Sequence, residues 1–175
     1  AKERVAASAA ELVQDGDVVL LDIGTTTMLL ARHLRGREVT VVTNSLAVLD
    51  ELREDKVLEL IVLGGVVRRS YRSLVGSLTE DSLRQVRADR VFIGTSGISP
   101  DGSVRDTTIV EVPVKRALMA ASQQVVVLAD SRKLPGSGAL RVCGPDEIDV
   151  LITNAEADPA TLAVFREHGA QVRLA

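Results

Sequence analysis

The chain has 175 residues, 46% of them hydrophobic, which suits one domain with one sizeable core and is too apolar for a disordered chain. Aromatics are only 2% and the formal net charge is −3, so the core is aliphatic. Neither a stacking platform for nucleobases nor a large basic face for DNA or an anionic membrane is expected.

Cys143 is the single cysteine, which excludes an internal disulfide and a cysteine-based zinc site and suits a reducing compartment. There is no apolar run of about 18 residues and no signal peptide. The chain opens at Ala1, without Met and directly in a helical pattern, which suggests a piece of a longer protein.

Residues 2–13 place Val5, Ala9, Leu12 and Val13 on one helical face. Asp15-Gly16-Asp17 ends that helix. The run 18–23 that follows is apolar except for Asp22 and reads as a central parallel strand. It closes on Gly24-Thr25-Thr26-Thr27, where a helix to about residue 34 should begin. Free N–H groups, hydroxyls and the positive end of a helix dipole would meet there, which is a place for an anion, most simply a phosphate. A simple helix cap is the alternative.

A second strand, 39–43, ends in Thr43-Asn44-Ser45, another strand-to-helix turn with an N-cap, and a short helix covers 46–53. A third strand, 58–63, ends in Gly64-Gly65. Residues 66–76 mix apolar residues with Arg68, Arg69, Tyr71 and Arg72, and read as a solvated edge strand or as a basic lip over an anion site. A helix over 78–86 and a strand over 89–94 follow. Residues 95–108 read as a loop, either a lid or a binding loop.

A helix over 112–122 tolerates Pro113 in its first turn, with Glu111 and Lys115 four residues apart. A fifth strand, 124–129, ends in Asp130-Ser131-Arg132-Lys133. A flexible loop (135–138), a sixth strand (148–153), a helix (159–168) and a last edge strand (171–174) complete the chain. The alternation is the βαβ pattern of an open, mainly parallel sheet with flanking helices. Ligands bind such sheets outside the carboxyl ends of the strands, so the polar strand tips should share one rim.

The phosphate loop of nucleotide hydrolases, a dinucleotide fingerprint and a nucleophile elbow are all absent. His33 and His168 sit late in helices among charged residues and read as solvated positions. No cluster has metal-ligand spacing, and no cofactor is expected. What remains are Asp22, Asn44, Glu111, Lys115, Asp130 and Lys133, beside the hydroxyl turns. Lysines and hydroxyls suit a phosphate, and carboxylates and amides suit sugar hydroxyls. Singly, each has an ordinary structural role to play; together on one rim they point to a sugar-phosphate site. A sugar-phosphate isomerase with Glu111 or Asp130 as base is the rival reading.

The chain resembles the C-terminal effector-sensing domain of the DeoR family of bacterial sugar-metabolism regulators. The resemblance is carried by Asp15-Gly16-Asp17, Leu21-Asp22-Ile23-Gly24-Thr25-Thr26, Val41-Val42-Thr43-Asn44-Ser45, Leu63-Gly64-Gly65, Val75-Gly76, Asp89 with Phe92-Ile93-Gly94, Gly97-Ile98, Glu111 with Lys115-Arg116, Asp130 with Lys133, and Ile148-Asp149 with Leu151-Ile152-Thr153. It runs over nearly the whole chain, 1–175, and in order. It departs from the family's frequent residues at Arg132 and Asn154.

The resemblance implies a fold shared with ribose-5-phosphate isomerase, glucosamine-6-phosphate deaminase and coenzyme A transferases. It implies a cytoplasmic homo-oligomer, not an enzyme, that binds a phosphorylated sugar effector. Operator DNA would be reached only through an N-terminal helix-turn-helix domain outside this chain. Read from the polar strand tips, the expected ligand positions are Asp22, Gly24 to Thr27, Thr43 to Ser45, Gly64, Gly65, Glu111, Lys115, Asp130 and Lys133.

Overall fold

The computed structural model describes residues 1–175. Helix α1 (Lys2–Ala10) leads to β1 (Val18–Leu21), α2 (Thr25–Leu34), β2 (Thr40–Thr43), α3 (Leu46–Leu52) and β3 (Glu59–Val62). A hairpin of β4 (Val66–Arg68) and β5 (Ser73–Val75) precedes α4 (Ser77–Leu83) and β6 (Ala88–Ile93). Then come β7 (Gly97–Ile98), β8 (Val104–Asp106), α5 (Glu111–Ala120), β9 (Ser122–Leu128), β10 (Leu140–Cys143), β11 (Val150–Thr153), α6 (Pro159–Glu167) and β12 (Gln171–Leu174).

Seven strands form one sheet in the order β12-β11-β9-β6-β1-β2-β3, and every neighbouring pair is parallel. Its inner strands are continuous apolar runs because both faces are covered. On one face, Val19, Leu21, Val41, Phe92, Val126 and Ile152 pack against α1, α2 and α3 through residues such as Val5, Ala9, Leu30, Leu34 and Val48. On the other, Leu20, Val42, Val91, Ile93, Val127 and Leu151 meet Leu83, Val114, Leu118, Leu162 and Phe165 of α4, α5 and α6. The pleat sends alternate residues of each strand to opposite cores.

The chain winds outward from β1 to β3, then returns to β6 on the other side of β1. The pair β1–β6 is therefore the point where strand order reverses, and a crevice opens outside the carboxyl ends of the strands there.

The structure departs from the sequence expectation in three places. Residues 95–108 are not a plain loop: they hold β7 and β8, which join β10 in a three-stranded antiparallel sheet. β10 itself carries no alternation long enough to reveal it. Residues 66–76 are a hairpin, not a single edge strand. Helix α1 stops at Ala10, and the Arg37 guanidinium donates to the carbonyls of Ala10 (3.0 Å) and Val13 (2.5 Å), satisfying groups a helix end leaves free. No helix is long and apolar enough to cross a membrane.

Candidate functional site

A cavity of about 220 Å³ lies at the β1–β6 reversal. At about 30 Å³ per liquid water, it has room for roughly seven waters or one small polar metabolite. Its floor is the turn after β1. Gly24 caps α2 with φ +117°, a conformation that side chains rarely adopt. The Gly24 carbonyl accepts from the Met28 N–H (3.1 Å) and the Thr27 hydroxyl (2.9 Å). No side chain caps the helix, so the N–H groups of Thr25, Thr26 and Thr27 have no acceptor within the chain. These three residues line a cavity whose wall also carries Lys2, Lys115 and Lys133.

Asp22 stands one step before that turn, fully buried. Its Oδ2 accepts from the Gly94 N–H (3.0 Å) and from the Lys115 ammonium. Lys115 also donates to the Gly94 carbonyl (3.0 Å) and lies 3.7 Å from an Asp106 oxygen. Burial opposes the lysine's charge, but the carboxylates of Asp22 and Asp106 outweigh it and hold its pKa above the ordinary value. Asp22 Oδ1 is buried without a partner.

Glu111, in the first turn of α5, also lines the cavity. Its Oε1 accepts from the Ser73 hydroxyl (2.6 Å) and the Arg68 guanidinium (2.5 Å), which ties the hairpin to α5. Its Oε2 is buried and unpartnered. Arg68 stacks on the Tyr71 ring, 4.4 Å from its centroid, and Tyr71 reaches the cavity wall. Lys133 donates to the Thr95 carbonyl (2.5 Å). Burial, and then the nearby charge of Lys2, pushes its ammonium below the usual lysine range.

Of the residues singled out in the sequence, Gly24, Thr25, Thr26, Thr27, Glu111, Lys115 and Lys133 line this cavity, and Asp22 supports it. The others stand at the same sheet rim but not in the cavity wall. The Thr43 hydroxyl donates to the Leu21 carbonyl (2.7 Å) and accepts from the Ser45 N–H (3.0 Å). Asn44 donates to the Leu74 carbonyl (3.0 Å), and Ser45 caps α3 by accepting from the Val48 N–H (3.2 Å). The Gly64 carbonyl accepts from the Thr79 hydroxyl (2.5 Å). Gly65 has φ +147°, and a Cβ there would lie 2.1 Å from Thr79 Oγ1. Asp130 caps the 3-10 turn Ser131–Lys133; burial raises its carboxyl, but bonds from Arg132 hold it below the usual range.

Lys2, Tyr71, Thr95, Ser96 and Asp106 also line the cavity without having been singled out as ligand positions. Thr95, Ser96 and Asp106 lie in the stretch read as a possible binding loop, and Tyr71 lies in the basic stretch. For Lys2 no local signal existed. Neither histidine is in the wall: His33 pairs with Glu3 and His168 with the Val164 carbonyl (2.8 Å).

A family model described as the DeoR C terminal sensor domain matches residues 1–155. Among curated proteins, the HTH-type transcriptional repressor GlcR of Bacillus subtilis is 33% identical over 171 residues, covering 98% of this chain and 66% of that protein. The glycerol-3-phosphate regulon repressor of Escherichia coli is 30% identical over 174 residues, covering 99% and 69%. The chain thus spans about two thirds of the length of these relatives. Among solved structures, a ribose 5-phosphate isomerase from Plasmodium falciparum superposes with TM-score 0.56 at 16% identity, covering 79% of this chain and 54% of that one. The eIF2B beta subunit from Chaetomium thermophilum superposes with TM-score 0.63 at 17% identity, covering 95% and 53%. At such identities the likeness is one of fold alone.

Proposed function

Because the chain belongs to the DeoR family of transcriptional regulators, as its C-terminal sensor domain, we propose that the cavity at the β1–β6 reversal binds a phosphorylated sugar or sugar-derived metabolite. Occupancy would control DNA binding by a segment of the whole protein outside this chain. The observation that carries the reading is the meeting of two chemistries in one small cavity. The free N–H groups of Thr25 to Thr27, with Lys133, suit a phosphate. The unpartnered Glu111 oxygen, with Asp106 in the same wall, suits donating hydroxyls.

The ligand is bound and released, not turned over. The regulator homology favours this, and the wall contains no histidine. The isomerase-like fold keeps one rival concrete: Glu111 Oε2 is the carboxylate oxygen an isomerase would use as base. Regulation then works by population shift: the ligand favours one arrangement of a homo-oligomer, and operator affinity follows. The exposed apolar edge of β3 and β4, with Ile61, Val62, Val66 and Val67, supports an oligomeric state. A cytoplasmic site of action follows from that role.

The test is calorimetric titration with a panel of sugar phosphates, glycerol 3-phosphate and the unphosphorylated sugars, followed by an isomerase assay on each binder. A phosphorylated member should bind saturably, and its unphosphorylated form should bind far more weakly. Binding of none of them, or steady turnover of a binder, would overturn the proposal.

A further inference from the structure

Lys2 and Lys133 come from opposite ends of the chain and line the same cavity as the start of α2. The lysine ion pairs of the molecule are those of Lys115 with Asp22 and Asp106; Lys2 and Lys133 have none. Lys133 uses one of its three donors on the Thr95 carbonyl. Two ammonium groups without an ion pair thus line a shared cavity, beside three free N–H groups; the Asp130 carboxylate acts on Lys133 only at longer range. The buried, unpartnered Glu111 Oε2 in the same wall marks the cavity as built for a polar occupant.

A second observation links these lysines mechanically. Asn154 is fully buried, and its Nδ2 donates to the carbonyls of Ala1 (3.3 Å) and Ala175 (3.2 Å). Its Oδ1 accepts from the Ser131 N–H (3.2 Å), in the turn that carries Lys133. The first residue before α1, the Lys133 turn and the chain's last residue therefore meet on one side chain.

We propose that Lys2 is a ligand-contacting residue: the anion held at the start of α2 also pairs with Lys2 and Lys133, so that occupancy ties the beginning of α1 to the sheet rim. This rests on the phosphate reading of the cavity. The anion neutralises the two facing ammonium groups, and burial of Lys133 makes that neutralisation the more favourable. Helix α1 is otherwise held by the apolar contacts of Val5, Ala6 and Ala9, by the surface pairs Glu3–His33 and Arg4–Glu156, and at its start by Asn154. The ligand adds a charge-assisted link there. In the whole regulator, a segment joined before α1 would feel occupancy through this link.

The test is amide hydrogen exchange on this chain with inorganic phosphate as probe, comparing wild type, Lys2→Met and Lys2→Arg. In wild type, phosphate should slow exchange both in the first turn of α2 and along α1. Lys2→Met should lose the slowing in α1, keep it in α2 at higher phosphate, and bind phosphate roughly tenfold more weakly, as loss of one charge-assisted bond requires. Lys2→Arg should keep both. Protection of α2 with no effect on α1, or equal phosphate binding by Lys2→Met, would overturn the role of Lys2 and leave the phosphate site standing. Protection of neither helix would overturn both.

Discussion

The Lys115 ammonium rests against the Asp22 carboxylate, 93 residues away in sequence, with 3% and 0% of the two side chains exposed. The pair joins α5 to the carboxyl end of β1, directly under the candidate site. A buried pair of this kind adds little over a well-packed apolar pair, yet breaking it strands a charge.

We therefore expect Lys115→Met to cost about 3–5 kcal/mol of stability, read by urea unfolding. The double variant Lys115→Met, Asp22→Asn should recover part of that loss, because the fully buried Asp22 charge is no longer stranded and only Asp106 still lacks its cation. The pH dependence has a definite sign. The folded-state pKa of Lys115 is raised above the ordinary 10.5, so its contribution is whole below that value and is lost as pH rises through the folded-state value. Wild type should weaken more than Lys115→Met in that alkaline range; parallel curves would contradict the pairing.

Thr26→Asp separates the helix from the ligand. Thr26 is buried at the start of α2, where the helix dipole and free N–H groups favour a negative charge and offset part of the cost of burying it. The same charge occupies the place proposed for a phosphate. We expect an intact fold by circular dichroism and lost binding of the sugar phosphate. In wild type, ligand at about 100 times its dissociation constant should add roughly 2.7 kcal/mol of stability. A Thr26→Asp protein that is stabilised equally would remove the phosphate from Thr25 to Thr27.

Gly65→Ala tests whether the Gly64-Gly65 turn is structural. The new Cβ would lie 2.1 Å from Thr79 Oγ1 and 2.7 Å from the Val75 carbonyl, on a backbone at φ +147°. We expect destabilisation of about 1–3 kcal/mol from overpacking alone. Ligand affinity of the folded variant should stay within about twofold, because this turn is not in the cavity wall. A large affinity loss with unchanged stability would place the turn in the site.

Cys143 should be inert in the native protein. Burial pushes its thiol to about 12, so almost no thiolate exists at neutral pH. Its reaction with a disulfide reagent at about pH 8 should be slow when folded and fast in denaturant, where the pKa returns to about 8.5. Fast native labelling would mean that the β8–β10 edge opens readily.

Local sequence was enough to reveal the main sheet. β1, β2, β6, β9 and β11 are apolar runs bounded by turn residues, and that signal is read within six or seven residues. It also placed the polar tips at Gly24, Thr43, Gly64, Gly94 and Asp130 on one rim, since the strands all run parallel. β7, β8 and β10 escaped because strands of two to four residues declare themselves only through partners distant in the chain, as Leu140 does opposite Asp106. Which tips share a cavity was likewise undecided. Thr43 to Ser45 and Gly64-Gly65 carry the same residue types as Gly24 to Thr27, but they follow strands away from the β1–β6 reversal and bond to their neighbours instead. Lys2 reaches the cavity only because α1 packs across the sheet onto α2. Hydrophobic period is a property of a short segment, so the sequence by itself determined the strands of the main sheet, the helices and the rim. The order of strands in the sheet is a property of the whole chain, and only the tertiary structure decided which of those polar residues face one another.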